Sequence, residues 1–520
     1  MTFPIRIFVP KDAAARSVGA DDVAARIMAE AEARSIEVSV VRTGTRGALF
    51  LEPLVEVETS AGRIGYGPVD PDDVTGLFDA GFPSADGHPL HLGPVDAIPY
   101  LARQTRVTFA RCGVIDPASV ADYRAQGGFR GLEAALAKPA ADIVEDVVAS
   151  GLRGRGGAGF PTGIKWRTVA AAEADEKYIC CNADEGDSGT FADRILMEGD
   201  PFLLIEGMTI AGLAVGACTG YVYIRSEYPD AIAAMKTAIA ACEADGTLGD
   251  DILGSGRSFR LHVRVGAGAY ICGEESAMLD SLEGKRGIVR AKPPIPAIAG
   301  LFGKPTVVNN VLSFAAVPSI LADGPEAYAA HGMGKSRGTM PFQIAGNIAR
   351  GGLVELGFGV TLRELIEDFG GGTHSGRPVR AVQVGGPLGA YVPADRLDLP
   401  MDYEAFAEAG FMVGHGGIVV FDDTVDMARQ ARFAFAFCAI ESCGKCTPCR
   451  VGAVRGRETM DRILAGEDVA TNVALVEDLC TLMTDASLCA MGGLTPMPVK
   501  SALTYFPEDF DRAHAREAAE

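Results

Sequence analysis

The sequence predicts a multidomain α/β protein with four parts: a small α/β domain, a larger α/β domain on a parallel sheet, a β-grasp-like domain and a C-terminal helical bundle. Three observations predict this. The chain has 520 residues, enough for roughly three or four domains at the usual domain size. Strand-like and helix-like apolar spacings alternate through most of its length, as in a sheet flanked by helices. After Thr424 the pattern turns wholly helical, and six of the 12 cysteines fall between Cys438 and Cys489.

Taken in order, residues 5–9 read as a strand, 20–34 as an amphipathic helix and 36–41 as a second strand. Residues 49–58 and 62–66 read as a hairpin and 71–78 as a short helix, which closes a first domain at 1–80. The Pro and Gly punctuation that follows reads as a linker, 81–117. Strand patterns at 177–181, 220–226 and 259–265 separated by helices make 118–330 a parallel-sheet domain. The apolar run 202–218 is too short for a bilayer span and carries Glu206, so it reads as a buried helix. Two short strands, a helix opened by a Thr361–Glu364 capping box and further strands give a β-grasp-like domain over 331–423. The helical remainder is 424–520.

Composition excludes several classes. Lys plus Arg number 47 against 68 Asp plus Glu, a formal charge of −21 that repels nucleic acid and anionic lipid. The start of the chain lacks the basic and long apolar regions of a secretory signal. A cytoplasmic protein with reduced thiols is expected.

The most specific chemical signal is Cys443-Gly-Lys-Cys446-Thr-Pro-Cys449. Three thiolates at two-residue spacing can hold three corners of a cubane cluster, and Cys489 beside Gly492 and Gly493 is the candidate fourth ligand. Cys480 competes, but falls inside a helical pattern. Structural zinc is the rival and usually uses paired C-x-x-C knuckles, so a triplet with a distant single favours iron and sulfur. Cys180, Cys181, Cys218, Cys242 and Cys272 read as buried thiols.

A second signal is the glycine-rich run Gly154-Arg155-Gly156-Gly157-Ala158-Gly159-Phe160, followed by Lys165 and Trp166. It follows a helix rather than a strand, so it is not the dinucleotide fingerprint. Backbone freed by glycine, with two arginines and a lysine nearby, suits a phosphate. Polar loops follow two of the predicted strands: Asn182-Ala-Asp184-Glu185-Gly-Asp187, and Gly266-Ala-Gly-Ala-Tyr270-Ile-Cys-Gly273-Glu274-Glu275. Open α/β sheets bind ligands at such carboxyl ends.

Together with Lys292-Pro-Pro and Asn309-Asn310, these motifs resemble the flavoprotein subunit of respiratory complex I and its soluble relatives, the diaphorase subunits of NAD-linked formate dehydrogenases and hydrogenases. The resemblance implies a sheet domain binding FMN, an SLBB-like β-grasp domain and a helical domain with one [4Fe–4S] cluster. It implies FMN within reach of Gly154, Arg155, Gly156, Gly157, Lys165, Asn182, Asp184, Glu185, Gly273, Glu274, Asn309 and Asn310. It implies NAD at Phe160, Lys165, Asp187, Tyr270, Glu275 and Lys292, and the cluster on Cys443, Cys446, Cys449 and Cys489. Asp187, Thr168 and Ile295 depart from the family pattern and bear on adenine stacking.

The first domain resembles the thioredoxin-like [2Fe–2S] subunit that accompanies the family. Thr45 and Leu49 stand where ligand cysteines are expected, and no cysteine precedes Cys112, so it reads as a docking module without a cluster. What the resemblance implies is a diaphorase within a larger assembly. The expected assembly is an NAD-dependent formate dehydrogenase, with a molybdenum or tungsten subunit and a [2Fe–2S] thioredoxin-like subunit as partners. A hydrogenase or complex I itself is the alternative, and a flavin-free iron–sulfur scaffold is the alternative of another class.

Overall fold

The structure is a computed structural model that describes residues 4–511. Its strands form three main sheets. In the first, β1 (Ile5–Pro10) pairs in parallel with β2 (Val38–Thr43) and antiparallel with β3 (Val55–Thr59), then come β4 (Gly62–Tyr66) and β5 (His91–Pro94). Helix Ala20–Ala33 turns Val23, Ala24 and Ile27 onto this sheet, the face its apolar spacing predicts. Two parallel strands continued by antiparallel ones, with a helix packed on the sheet, agree with the expected thioredoxin-like arrangement.

Thr45 is fully buried, donates its hydroxyl to Glu52 and accepts from Gly47 N at 3.0 Å. Leu49 opens a single 3-10 turn, Leu49–Leu51. The stretch where the resemblance led ligand cysteines to be expected is thus closed by its own hydrogen bonds. The domain is docked on two others. Ala13 N donates to Glu198 at 2.8 Å, Arg16 pairs with Asp230 at 2.6 Å, and Gly47 O accepts from Leu353 N at 2.8 Å.

Residues 81–117 are not a free linker. Part of the segment is β5, and Ile98, Tyr100 and Leu101 join the core of the β-grasp-like domain, while Phe109, Cys112 and Ile115 join that of the second domain. Gly and Pro mark turns, and turns pack when their amides find partners. Here the fully buried Glu355 accepts from Val107, Thr108 and Phe109 N at 2.9–3.0 Å.

The second sheet is wholly parallel, in the order β8-β7-β6-β9, with β6 (Tyr178–Ala183), β7 (Thr219–Ile224), β8 (Arg260–Val265) and β9 (Thr306–Asn310). The chain winds outward from β6 through β7 and β8, then returns to the other side of β6. The strand order therefore reverses between β6 and β9, where such sheets leave a crevice. Every residue of helix Pro201–Val215 is buried against this sheet. Its Glu206 is tolerated because Tyr123 Oη, Phe129 N and Leu132 N all donate to it.

A two-residue ribbon of β10 (Gly332–Met333) and β11 (Ser336–Arg337) leads into the third sheet, ordered β13-β12-β16-β14-β15. Its strands are β12 (Thr339–Gly346), β13 (Gly352–Gly357), β14 (Val379–Val384), β15 (Tyr391–Pro393) and β16 (Gly417–Asp422), with parallel β12 and β16 at the centre. The capping box forms: Thr361 N donates to Glu364 Oε2 at 2.8 Å and Glu364 N to Thr361 Oγ1 at 3.1 Å. The helical turn it opens, Glu364–Phe369, is π-helical.

Helices Met427–Glu441, Thr447–Leu464, Val469–Ala486, Ala490–Leu494 and Pro496–Tyr505 complete the described chain. None of the described helices is long and apolar enough to cross a membrane.

Candidate functional site

The crevice between β6 and β9 is a pair of adjoining cavities of about 290 Å³ and 480 Å³ that share Gly156, Asn182, Gly273, Glu274, Asn310 and Ala490 on their walls. Asn182 and Asn310 sit at the carboxyl ends of the two strands, opposite one another in register. Asn182 Nδ2 donates to Gly273 O at 2.8 Å, which ties the loop after β8 to the end of β6. The glycine run supplies the facing wall. Gly157 has φ +103, a conformation open to glycine, and a Cβ at Gly156 would lie 3.0 Å from the Asn310 side chain. Backbone can therefore come right up to a bound group, which fits the phosphate and ring of a flavin mononucleotide.

The structure places most of the expected residues here and divides them. The larger cavity is lined by Gly154, Phe160, Lys165, Glu275, Lys292 and Asn309, together with Thr168 and Ile295. Phe160 is 52% and Ile295 46% exposed, so two apolar faces stand at its mouth where a base can stack. Asp187 and Tyr270 line the smaller cavity, with Gly157 and Glu185. Tyr270 Oη donates to Asp187 at 2.7 Å, and Gly386 of the β-grasp-like domain packs on that carboxylate. The residues expected at NAD are thus on both sides of the shared wall.

Arg155 and Asp184 are not on either cavity wall. Arg155 is 1% exposed, and its guanidinium donates to Tyr328 Oη, Arg337 O and Arg153 O, so it holds the glycine loop from behind. Burial pushes the Asp184 carboxyl up to about 7. Glu185 adopts φ +34 and directs its carboxylate at the amides of Asp193 and Arg194, 2.8 and 2.9 Å away. Burial, then the Asp193 charge, pushes it up to about 8.

Charges in the larger cavity are paired. Lys292 Nζ lies 3.0 Å from Glu274 and 2.7 Å from Glu275. Lys165 Nζ donates to Val308 O at 2.7 Å and stands 3.7 Å from Glu275, and burial lowers its pKa.

The four expected cluster cysteines lie where three helices begin or end. Cys443 lies in the turn after Met427–Glu441, Cys446 is the N-cap of Thr447–Leu464, Cys449 is in that helix's first turn, and Cys489 is the N-cap of Ala490–Leu494. The amides and dipole at the start of an 18-residue helix favour thiolate over thiol. Cys449 Sγ is 3.7 Å from Cys438 Sγ and 3.1 Å from Ser442 Oγ, and the Cys438 contact, with Ser442, holds its pKa down at about 6. The donor set, all thiol and part-exposed except for Cys449, suits an iron–sulfur cluster. Lys445 Nζ donates to Val289 O at 2.6 Å and fastens the cysteine turn to the sheet domain. Cys480 is fully buried in the helical core, and burial pushes it to about 12; burial also pushes Cys489 to about 11, so what separates the two is that Cys489 is half-buried and lines the larger cavity. Cys218 is exposed, not core as expected; the other four of that group are buried.

Cys489 also lines the larger cavity, beside Leu488 and Ala490. The cluster loop and the crevice of the parallel sheet therefore share a wall. Sequence reasoning missed His415, Met412 and Leu388, which reach the smaller cavity from the β-grasp-like domain. Only the glycines around His415, in the run Gly414-His415-Gly416-Gly417, marked that turn as unusual.

Comparison with known proteins agrees with this geometry. Residues 147–319 match the family described as the Nuo51 FMN-binding domain, and residues 429–513 the NADH-ubiquinone oxidoreductase-F iron–sulfur binding region. The chain is 45% identical to the NADP-reducing hydrogenase subunit HndC of Solidesulfovibrio fructosivorans, over 79% of this chain and 83% of that one. It is 48% identical to an NADH-quinone oxidoreductase F-type subunit of Rhizobium meliloti, over 76% and 94%. A structure of an NAD+-reducing [NiFe]-hydrogenase in the H2-reduced state superimposes with a TM-score of 0.69 at 29% identity, covering 98% of this chain and 84% of that one. Sheet crevice, glycine wall, cysteine constellation and relatives converge, and the chain belongs to the family of 51 kDa-type flavoprotein subunits of NADH-quinone oxidoreductases and their soluble relatives, with FMN and [4Fe–4S] as its cofactors.

Proposed function

We propose that this chain is a diaphorase subunit that passes electrons between NAD(H) and a [4Fe–4S] cluster by way of FMN. The observation that carries the reading is the position of Cys489 on the wall of the cavity that Asn182, Gly273 and Asn310 also line. Flavin, when bound, supplies the conversion between two-electron hydride transfer and one-electron transfer to a cluster. The chain's own residues bind and orient. Gly156, Gly157 and Gly273 let backbone approach the flavin; Asn182 and Asn310 present amides from the strand ends. Phe160 and Ile295 offer a stacking surface to the nucleotide, and Lys165 and Lys292 a positive field shared with Glu274 and Glu275.

The assembly we propose is of the hydrogenase or complex I type, with iron–sulfur partner subunits. The [NiFe]-hydrogenase likeness over 98% of this chain takes in the first domain, which supports the hydrogenase type. The relatives named above are hydrogenase and NADH-quinone oxidoreductase subunits, so the formate dehydrogenase expected from the sequence lacks their support. Copurification from the native host tests the assembly: nickel and iron in the partner support the hydrogenase type, iron–sulfur subunits without nickel, molybdenum or tungsten support the complex I type, and molybdenum or tungsten returns the reading to a formate dehydrogenase. Flavin absorbance with NADH-dependent dye reduction tests the chemistry. A preparation with iron and sulfide but neither flavin nor dye reduction would make the chain a scaffold.

A further inference from the structure

His415 crosses from the β-grasp-like domain into the wall of the smaller cavity. It precedes β16 in a glycine turn, and its carbonyl accepts from Gln343 Nε2 at 3.0 Å, while Gln343 Oε1 accepts from Ala192 N at 2.8 Å. The ring is 6% exposed and its backbone is clamped to the helix that begins at Ala192. Its Nε2 lies 3.2 Å from Asn310 Nδ2 and 3.5 Å from Asp193 Oδ1.

The orientation of the Asn310 amide is fixed independently. Its Oδ1 accepts from Leu312 N at 2.8 Å, and its Nδ2 donates one hydrogen to Asp193 Oδ2 at 2.7 Å. One N–H remains. When His415 Nε2 carries no hydrogen, it accepts that N–H. When it carries one, it points the hydrogen at Asp193 Oδ1, a buried oxygen with no other hydrogen-bond partner. The second N–H of Asn310 is then released toward the cavity that Asn310 and His415 both line.

We propose that His415 is a positioning residue of the flavin pocket, whose proton decides whether the second N–H of Asn310 is spent on the imidazole or offered to the cofactor. This rests on the reading of the crevice as a flavin site given above. The titratable groups that face the ring are Asp193, Glu185 and Asp187, all on the segment between β6 and the end of helix Ala192–Gly199; Asn310, at the end of β9, and Gln343, on β12, do not titrate. Burial disfavours the imidazolium, but these carboxyl groups, Asp193 first, outweigh it and hold His415 up at about 9. At neutral pH the ring is charged and the Asn310 N–H is free for the cofactor.

The test is the FMN dissociation constant of the full chain as a function of pH, read from recovery of flavin fluorescence. With the neutral ring keeping its one hydrogen on Nδ1, the wild type is expected to lose affinity by about two- to tenfold, the worth of one hydrogen bond, as pH rises through about 9; a neutral ring that keeps it on Nε2 gives no step and overturns the proposal. His415→Gln, which cannot take up the proton, is expected to remove that step. Asp193→Asn is expected to move the step to lower pH without abolishing it, and serves if the first variant folds poorly, with the visible absorbance of the cluster as the folding control. A His415→Gln protein with wild-type affinity and wild-type pH dependence overturns the proposal. So does a stoichiometric divalent metal that this variant loses, because the ligand atoms of Glu185, Asp193 and His415 lie within 4.8 Å of one another and the ring would then be a metal ligand. A wild type that binds no FMN at any pH disposes of the flavin reading itself; unchanged titration in a protein that does bind FMN disposes of this inference alone.

Discussion

Glu275 holds Lys165 across the larger cavity, Oε2 to Nζ 3.7 Å, while Lys292 takes its other oxygen at 2.7 Å. Burial works against the carboxylate, but the Lys165 and Lys292 charges outweigh it and keep Glu275 below its usual range. Removing Lys165 leaves Glu275 with one partner and strips a positive charge from the larger cavity. Lys165→Ala is expected to lower NADH-dependent dye reduction by at least about tenfold, the effect of roughly 1.4 kcal/mol. Unchanged steady-state kinetics would remove Lys165 from the site.

The cysteines allow a clean contrast. Cys489 stands at the cluster loop and Cys480 in the helical core. Cys489→Ser is expected to yield protein with depleted iron and sulfide, whereas Cys480→Ala is expected to retain both and to lose only packing, about 1 kcal/mol of stability. Iron and sulfide analysis decides; the reverse pattern would exchange the two roles.

Glu206 is a stability element of the sheet domain. It sits fully inside helix Pro201–Val215 and satisfies three donors. Glu206→Leu leaves Tyr123 Oη and two backbone amides without partners and is expected to cost on the order of 3 kcal/mol or more. Denaturant melts check this, and Glu206→Gln, which keeps an acceptor, is expected to fall between.

Glu198 predicts a pH dependence at the seam between the first domain and the sheet domain. Burial, offset in part by Arg194, pushes its carboxyl up to about 7 from 4.5. A raised carboxyl pKa means that the folded state binds the proton more tightly than the unfolded. Its favourable contribution is complete below about 4.5 and is lost as pH rises to about 7. Glu198→Gln is expected to flatten the melting temperature between these pH values and to stabilise the protein at pH 8 by on the order of 2 kcal/mol. A variant as pH-dependent as the wild type would place the effect elsewhere.

Periodicity and punctuation carry local information, and that is the part the sequence determined alone. Three of the four parallel strands, β6 to β8, the capping box at Thr361 and the buried helix around Glu206 follow from spacing and from residues with one physical preference, whereas β9 read as a turn around Asn309 and Asn310 and proved a strand. The cysteine triplet names its own chemistry, because thiolates at that interval converge within one turn and the start of a helix. The absence of cysteine before Cys112 likewise settles that the first domain supplies no cluster thiolate.

What the tertiary structure decided is everything that depends on which segments meet. Residues 81–117 look unstructured in sequence because their amides are capped by Glu355, some 250 positions away. Arg155 and Lys165 read alike as cations beside a glycine run, yet one is buried behind the loop against Tyr328 and the other lines the cavity. Cys489 reaches the wall shared with Asn310, and His415 enters the β6–β9 crevice from another domain. Local sequence sets each residue's chemistry and its turn of helix or strand. Only the packing of distant segments against the β6–β9 crevice sets which of those chemistries share one cavity.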